Sequence, residues 1–268
     1  MPDWDDTDYS AVTGSYAAVR RADPVVAAQI LDALGSARTV VNVGAGTGSY
    51  EPTDRHVVAV EPSAEMRKAR PRTLPPALDG RADRLPFDDN AFEAALAVLT
   101  VHHWADLRAG LRELRRVACD RVVIMTADPE ALERLWIPAY APEFHEVERR
   151  RYPSLQELVS VLGGEVETRP LRIPFDCTDG FADAFYGRPE AMLDPQTRRA
   201  QSAWSFVPQP AQDRFVESLS GDLRSGAWDG RYGHLRTQPE FEGSMRLVIA
   251  TDPGSRASRR VIPLSEYA

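Results

Sequence analysis

A glycine-rich turn directly after a β-branched run constrains the fold of this chain more than any other feature. The run Thr39-Val40-Val41-Asn42-Val43 is typical of a buried strand, and it leads directly into Gly44-Ala45-Gly46-Thr47-Gly48. Glycines allow backbone conformations and a close ligand approach that a Cβ atom would block. In an open α/β sheet, such a turn lies at the carboxyl end of a strand, where its N–H groups can bind a ligand.

Strands and helices alternate along the first half of the chain, which predicts an α/β fold with helices on both faces of a parallel sheet. The predicted strands in this half are 39–43, 56–60, 92–99 and 121–126, with a third strand or its exit at 80–85, and the later ones are 167–173 and 245–251. Predicted helices include 9–35, 107–117 and 155–162. The fold is therefore expected to be a doubly wound, mostly parallel sheet with an antiparallel last strand and a helical cap inserted before that strand.

The long stretch between the two late strands is better explained by a helical cap than by a bare loop. We therefore divide the chain into four expected parts. They are an N-terminal helical lid segment at 1–35, a ligand-binding core at 36–174, a cap at 175–243, and the last core strand with a tail at 244–268. Asp23 and Pro24 are expected to begin a helix that ends at Gly35.

Composition and charge exclude several classes of protein. The net charge is −8 at pH 7, which disfavours nucleic-acid binding through a basic surface. The longest apolar stretch, Ala94–Val101, is far too short to span a bilayer, so we expect no membrane role. The acidic start lacks signal-peptide features, and we expect a cytoplasmic protein. Cys119 and Cys177 are expected to be free thiols.

The second predicted strand ends in an acidic residue, Glu61, about twenty residues after the glycine-rich turn begins. A carboxylate at that place can hold ribose hydroxyls, so the two features together predict an adenosine-type ligand. A dinucleotide fingerprint needs a further glycine at position 49, where this chain has Ser49. That difference disfavours a nicotinamide cofactor.

The turn resembles motif I of the class I S-adenosylmethionine-dependent methyltransferases, and three further stretches resemble that family in the expected order. They are a second motif at Val57–Met66, an adenine-contacting motif at Ala82–Phe87 and a fourth strand at Phe92–Leu99. The resemblance covers residues 10–128 and is to the small-molecule branch typified by ubiquinone/menaquinone-biosynthesis methyltransferases. It implies a Rossmann-like core, S-adenosylmethionine as cofactor and methyl transfer as the activity. One departure is Asn42, where the family often has Asp or Glu.

The resemblance also implies which residues bind the cofactor. Glu61 would hold the ribose hydroxyls, Asp83 the adenine amine, and Leu99 would contact the ligand near the sulfonium. Tyr16 and Arg20 resemble the family's Y-x-x-x-R segment; Arg20 could pair with the cofactor carboxylate, or the pair could be a solvated helix face. The implied set is Tyr16, Arg20, Gly44, Ala45, Gly46, Glu61, Pro62, Ser63, Met66, Asp83 and Leu99.

Two adjacent histidines follow the 92–99 strand, at the rim where a general base would lie. A sulfonium methyl is already activated, so a base is needed only if the acceptor must lose a proton early. An ordinary imidazole suits that role. His103 and, second, His102 are therefore candidate catalytic residues; the alternative is that they pack against the next helix. Adjacent residues tend to point apart, so we expect no metal site here.

The acceptor site is expected in the variable later part of the chain. Aromatic side chains there can enclose a planar or apolar acceptor, or they can form the core of the cap. The candidates are Trp136, Tyr140, Phe181, Phe185, Tyr186, Arg188 and Trp204. The charged run Glu146–Arg151 is expected to be a solvated helix face.

The sequence thus predicts methyl transfer to a small-molecule acceptor, with secondary metabolism as one setting. Two alternatives stay open. A protein with the same pocket could bind S-adenosylmethionine without transferring its methyl group, either structurally or to assist a rearrangement. The second alternative is a nicotinamide-dependent oxidoreductase. Ser49 and the late pair of strands argue against it.

Overall fold

Six strands form one mixed sheet in the computed structural model, which describes residues 20–252. The strands of the chain are β1 (Thr39–Val43), β2 (His56–Val60), β3 (Phe92–Val98), β4 (Ala118–Ala127), β5 (Glu165–Pro170), β6 (Ile173–Pro174), β7 (Glu240–Phe241) and β8 (Met245–Thr251). The sheet order is β2-β1-β3-β4-β8-β5, and β6 pairs only with β7. Strands β2, β1, β3 and β4 are parallel, whereas β8 is antiparallel to both of its neighbours. The predicted fold class is confirmed.

Helices cover both faces of this sheet. They are α1 (Pro24–Leu34), α2 (Ala64–Ala69), α3 (Leu107–Val117), α4 (Ile137–Tyr140), α5 (Pro142–Arg151), α6 (Leu155–Leu162), α7 (Pro195–Arg199), α8 (Gln209–Ser225) and α9 (Ala227–Tyr232). Neighbouring residues of β1 face opposite layers, so Val40 packs with α1 and Val41 packs with α3 and α6. Within residues 20–252, no helix has both the length and the apolarity needed to cross a membrane.

Local sequence signals account for the ends of several helices. Asp23 accepts hydrogen bonds from the backbone N–H groups of Val25 and Val26 at 2.9 and 3.1 Å, and α1 ends at Gly35 with a positive φ of 55°. The predicted bounds of helices 107–117 and 155–162 are confirmed. The predicted helix 9–35 begins only at residue 24 within the described part, and residues 9–19 lie outside it.

Residues 80–85, predicted as a third strand or its exit, form no strand. This stretch forms only an isolated bridge between Arg81 and Arg84, and just before it Leu78 makes a single bridge to Val60. The charged sequence Arg81-Ala82-Asp83-Arg84 offers no apolar face to a buried sheet. The chain here instead runs beside the end of β2, which leaves Asp83 near the sheet edge.

The cap at 175–243 is helical, and its core extends beyond the cap itself. Trp136, just before α4, stacks on Phe215 with ring centroids 6.4 Å apart and meets Trp228 edge-on at 5.8 Å. On α5, the ring of Phe144 lies 4.8 Å from that of Trp204. The segment 132–151, which the sequence analysis assigned to the core domain, therefore packs in one apolar layer with the cap.

Candidate functional site

A cavity of about 630 Å³ lies between the carboxyl ends of β1, β2 and β3 and the layer formed by α5 and the cap. The strand order reverses between β1 and β3, and ligands of open α/β sheets bind at such a point. Every predicted cofactor-binding residue in the described part lines this cavity: Arg20, Gly44, Ala45, Gly46, Glu61, Pro62, Ser63, Met66, Asp83 and Leu99. Tyr16 lies outside the described residues.

Gly44 allows the glycine-rich turn to pass close to the end of β3. Its φ is 70°, and a Cβ atom at this position would overlap the side chain of Thr100. The N–H groups of Gly44 and Ala45 both donate to the carbonyl of Val60, at 2.9 and 3.0 Å. The turn is therefore fixed between β2 and β3, and only glycine fits at its start.

Gly46 has the opposite surroundings. Its φ is 52°, and a Cβ atom there would meet no protein atom within 4 Å. Because Gly46 lines the cavity, the space that its missing side chain leaves free is available to a ligand lying against the backbone.

The Glu61 carboxylate joins the glycine-rich turn to the start of α2. One oxygen accepts from the Gly46 N–H at 2.8 Å and the other from the Ser63 N–H at 2.8 Å. Glu61 is only 7% exposed. Burial raises its pKa, while these two N–H donors oppose the shift. The side chain is thus held in one orientation at the cavity wall.

A buried ion pair between Arg70 and Glu51 lies beside the glycine-rich turn and stabilises it. Arg70 Nη2 donates to both carboxylate oxygens of Glu51 at 2.8 and 2.9 Å, and Asn42 Nδ2 donates to the same carboxylate at 3.1 Å. Arg70 Nη1 also donates to the Gly46 carbonyl at 3.3 Å. The amide at position 42, which the sequence analysis noted as a departure, therefore contacts a carboxylate supplied by Glu51. That carboxylate is already neutralised by Arg70.

Leu99, at the end of β3, has a backbone conformation that is rare for a residue with a side chain. Its φ is 50°, and its N–H donates to the Met125 carbonyl at 2.8 Å. A branched residue in the left-handed region carries strain, and such strain is often found where the chain contacts a ligand. Leu99 lines the cavity.

Arg20 reaches the cavity already paired with a carboxylate. Its Nε donates to Asp179 Oδ1 at 2.7 Å, and Asp179 also accepts a hydrogen bond from the Tyr50 hydroxyl at 2.9 Å. Burial, and then the Asp179 charge, raise the pKa of Tyr50. Asp179 thus ties the N-terminal residue of the described part to the start of the cap.

The two histidines lie together, not apart. They form a short 3-10 helix at Val101–His103, and their ring centroids are 4.1 Å apart. Both line the cavity, so the expectation that they point apart is wrong, because a 3-10 turn does not alternate its side chains as a strand does. The His102 ring also packs 4.4 Å from the ring of Tyr152.

Both imidazoles are held in the neutral form. Burial, and then the positive charges of Arg151 and Arg20, lower the pKa of His103 to about 3. The pKa of His102 is also well below its ordinary value, first because of burial and then because of His103. An imidazole with so low a pKa is a weak base at neutral pH.

The charged run on α5 is not a solvated face, as the sequence analysis expected. Phe144, Glu148 and Arg151 form a buried stripe, with Glu148 9% and Arg151 6% exposed. Arg151 donates to Ser202 Oγ at 3.0 Å and lies 5.0 Å from the ring centroid of Phe206. Only Glu146, Arg149 and Arg150 pair with one another at the surface.

Sequence reasoning missed the part of the cavity wall that α5 and the cap supply. The residues in question are Phe144, Glu148, Tyr152, Ala182, Gln201 and Ser202. The spacing i, i+4, i+7 of Phe144, Glu148 and Arg151 was the one available signal, since it places all three on one helix face. Because Glu148 and Arg151 are charged, the spacing did not look like a buried helix face.

Glu148 has the most unusual ionisation of these residues. Burial raises the pKa of its carboxyl to about 7; Arg151 opposes the shift and Asp183 adds to it. Among residues 20–252, no side chain forms a hydrogen bond or an ion pair with this carboxylate.

The predicted acceptor residues need correction. Trp136 and Trp204 lie in the aromatic core described above, and Trp136 Nε1 donates to the Phe185 carbonyl at 3.4 Å. Tyr140 donates to Asp222 at 2.8 Å. None of these side chains lines the cavity, because they pack inside the layer that the cap shares with residues 132–151.

Tyr186 and Arg188 also lie away from the cavity. The Tyr186 hydroxyl donates to the Gln238 carbonyl at 2.6 Å, and Arg188 Nη2 donates to the carbonyls of Cys177 and Ala184 at 2.7 and 2.9 Å. Both side chains fix loops of the cap. Of the candidates named from sequence, Phe181 alone lines the cavity.

Comparisons with known proteins agree on the class of this site. A family model described as a methyltransferase domain matches residues 41–125. A solved structure of a methyltransferase assigned to an antibiotic biosynthesis pathway of Anabaena variabilis is 28% identical, with a TM-score of 0.80. It covers 87% of this chain and 98% of its own, so the similarity includes the cap.

Two curated proteins extend the comparison. An uncharacterised methyltransferase of Mycobacterium bovis is 36% identical over 119 residues, which are 41% of this chain and 46% of that protein. This chain therefore spans about half the length of that relative. A malonyl-[acyl-carrier protein] O-methyltransferase of Halorhodospira halophila is 27% identical over 253 residues, or 83% of each chain.

Proposed function

Because the chain belongs to the class I S-adenosylmethionine-dependent methyltransferases, we propose that it transfers the cofactor's methyl group to a small molecule bound in the cavity. One observation carries the proposal. Within residues 20–252, the residues that the family resemblance assigns to the cofactor line a single cavity, and the opposite wall of that cavity is formed by α5 and the cap. A volume of about 630 Å³ is in the range of small-molecule sites.

The residues present fit S-adenosylmethionine. Gly46 leaves open space against the backbone, where the amino-acid part of the cofactor would lie. Glu61 presents a fixed carboxylate whose remaining lone pairs would accept hydrogen bonds from the two ribose hydroxyls. Asp83, Pro62 and Met66 would surround the adenine.

When bound, S-adenosylmethionine supplies a methyl group that is already activated by a sulfonium. The protein then has to orient the acceptor and exclude water. The neutral imidazoles of His102 and His103 line the cavity and can form hydrogen bonds with the methyl acceptor, His103 as a donor through Nε2, and Phe144 and Phe181 also line the cavity. Leu99 would limit the position of the reacting centre from the end of β3.

Secondary metabolism is our proposed setting, and the similarity to the Anabaena protein over nearly its full length supports it. The cytoplasmic location stays a prediction. The rearrangement alternative uses the same pocket, so cofactor binding does not distinguish it from methyl transfer. The identity of the product does.

Titration calorimetry with S-adenosylmethionine, S-adenosylhomocysteine and NAD tests the cofactor. We expect dissociation constants on the order of micromolar for the first two and no heat from NAD. Incubation with candidate acceptors and S-adenosylmethionine, followed by intact mass, tests the reaction. A gain of one methyl group supports transfer, whereas an isomeric product supports the rearrangement. NAD binding without any response to S-adenosylmethionine would overturn the proposal.

A further inference from the structure

The Glu148 carboxylate lines the cavity, and among residues 20–252 no side chain forms a hydrogen bond or an ion pair with it. It lies on the buried face of α5, between Phe144 one turn before it and Tyr152 one turn after it. Burial disfavours a carboxylate that has no hydrogen-bond partner, so such groups normally have one. A group of this kind that faces a ligand cavity points to a ligand that supplies the missing donor.

The charged neighbours of Glu148 are held in other contacts. Arg151, on the same helix, is directed to His103 Nδ1 and Ser202 Oγ, at 3.3 and 3.0 Å. Asp183, from the cap, accepts hydrogen bonds from the Ser244 and Met245 N–H groups at 2.7 and 3.1 Å. Neither of these contacts involves the Glu148 carboxylate, and Glu148 lines both the cavity and a small pocket of about 30 Å³ beside it.

The aromatic surroundings indicate the shape of the ligand. Phe144, Tyr152 and Phe181 line the cavity together with Glu148. Flat apolar walls suit a planar aromatic ring. A carboxylate can then accept only from an O–H or N–H group on that ring.

On the basis of the proposed methyl transfer, we infer that the acceptor is an aromatic compound with a phenol-type hydroxyl, and that Glu148 accepts the proton of that hydroxyl as it is methylated. Glu148 is then a catalytic residue, whereas His102 and His103 orient the ring. This differs from the sequence-based expectation that His103 is the base.

Two bonds break and two bonds form in the proposed step. The O–H bond of the acceptor breaks, and its proton passes to a Glu148 oxygen. The oxygen's electron pair forms the new O–CH₃ bond. The S–CH₃ bond breaks with its electron pair remaining on sulfur, which becomes a neutral thioether.

The ionisation of the wall is consistent with this division of roles. The pKa of Glu148 is raised by burial to about 7, which is the range in which a general base is most effective near neutral pH. His103, with its pKa lowered to about 3 by burial, cannot compete for the proton.

The experiment uses 2-naphthol as a phenol probe and 2-methoxynaphthalene as the same ring without the proton. Both are titrated into the full chain with S-adenosylhomocysteine present, at several values between about pH 5.5 and about pH 8.5. We expect 2-naphthol to bind roughly tenfold or more tightly than its ether above the Glu148 pKa, because a hydrogen bond to a charged group is lost in the ether. The preference should decline as the pH falls.

Glu148→Gln should remove most of this preference and its pH dependence, while Glu146→Gln, an exposed residue on the same helix, should leave both unchanged. Equal preference in Glu148→Gln, a preference that does not depend on pH, or no binding of 2-naphthol to the wild-type chain would each overturn the inference. The separate titration of S-adenosylmethionine tests the proposed function. A chain that does not bind the cofactor but keeps the pH-dependent naphthol preference would refute methyl transfer and leave the role of Glu148 as a binding group standing.

Discussion

Arg151 Nη2 donates a hydrogen bond to His103 Nδ1 across 3.3 Å, joining α5 to the turn after β3. Because a guanidinium can only donate, the imidazole must accept at Nδ1, and its proton lies on Nε2. One contact therefore connects the two walls of the cavity, fixes the tautomer of His103 and brings a positive charge next to it.

The first prediction follows from that contact. Arg151→Met should raise the pKa of His103 above about 3, because a nearby positive charge is removed. Burial remains, so the pKa should stay below the ordinary value. Long-range ¹H–¹⁵N spectra of the histidine side chains measure it. Arg150→Met, an exposed arginine on the same helix, is the control, and an unchanged His103 in the Arg151 variant would refute the prediction.

The second prediction concerns Glu61. Glu61→Ala should weaken S-adenosylmethionine binding by about tenfold to a few hundredfold, since hydrogen bonds to a charged group contribute roughly 1.5–3 kcal/mol each. Calorimetry on a variant with an unchanged circular dichroism spectrum is the measurement. Asp54→Asn removes an exposed carboxylate before the opposite end of β2 and should leave affinity unchanged. Full affinity in Glu61→Ala would mean that the ribose binds elsewhere.

The third prediction distinguishes two effects of replacing a glycine: backbone strain, which lowers stability, and loss of cavity space, which weakens cofactor binding. Gly46 and Gly163 have similar positive φ angles, 52° and 60°, and a Cβ atom at either would meet no protein atom within 4 Å. Alanine at either position should destabilise the fold by about 1 kcal/mol. Only Gly46→Ala should also weaken cofactor binding, because only Gly46 lines the cavity. Urea unfolding and calorimetry on both variants test this; an equal loss of affinity would contradict it.

The fourth prediction is a pH dependence of stability. The pKa of Glu148 is raised from its unfolded value to about 7, so its contribution to folding is fully present below the unfolded pKa and is lost as the pH rises through about 7. Glu148→Gln should therefore be more stable than wild type at about pH 8.5, by up to about 3 kcal/mol, and similar at about pH 4.5.

The titratable and charged groups around Glu148 are Arg151 on α5, Tyr152 directly after α5, Asp183 in the cap, and His102 and His103, which line the same cavity. They are present in both proteins, so their own titrations largely cancel in the difference. Urea unfolding at the two pH values is the measurement, with Glu146→Gln as the control. A difference that shrinks with rising pH would show that the sign is wrong.

The sequence was sufficient wherever a local backbone requirement selects the residue. Gly44 is needed because the glycine-rich turn passes against Thr100. Asp23 and Ser63 are the N-caps of α1 and α2. The glycine-rich turn and Glu61 together identified the edge of the sheet at which a ligand binds. These signals act within a few residues or follow from the parallel order of the strands. The strand expected at 80–85 did not form because this charged stretch offers no apolar face to a buried sheet.

The acceptor wall was beyond the reach of sequence reasoning. Glutamate and arginine on a helix are usually solvated, so nothing local distinguished Glu148 and Arg151 from Glu146 and Arg150. Likewise, an aromatic residue in the cap could equally serve the core or the cavity, and Trp136 and Trp204 proved to be core whereas Phe181 lines the cavity.

The sequence by itself determined the fold class and the edge of the sheet at which the cofactor is expected, because strands and turns depend on residues that are adjacent in the sequence. Only the tertiary structure decided which side chains face the cavity from the other side. That outcome depends on how α5 packs against Trp204 and the turn after β3, which are remote from it in the chain. The same packing buries Glu148 and surrounds it with protein, and the resulting loss of hydration sets its pKa.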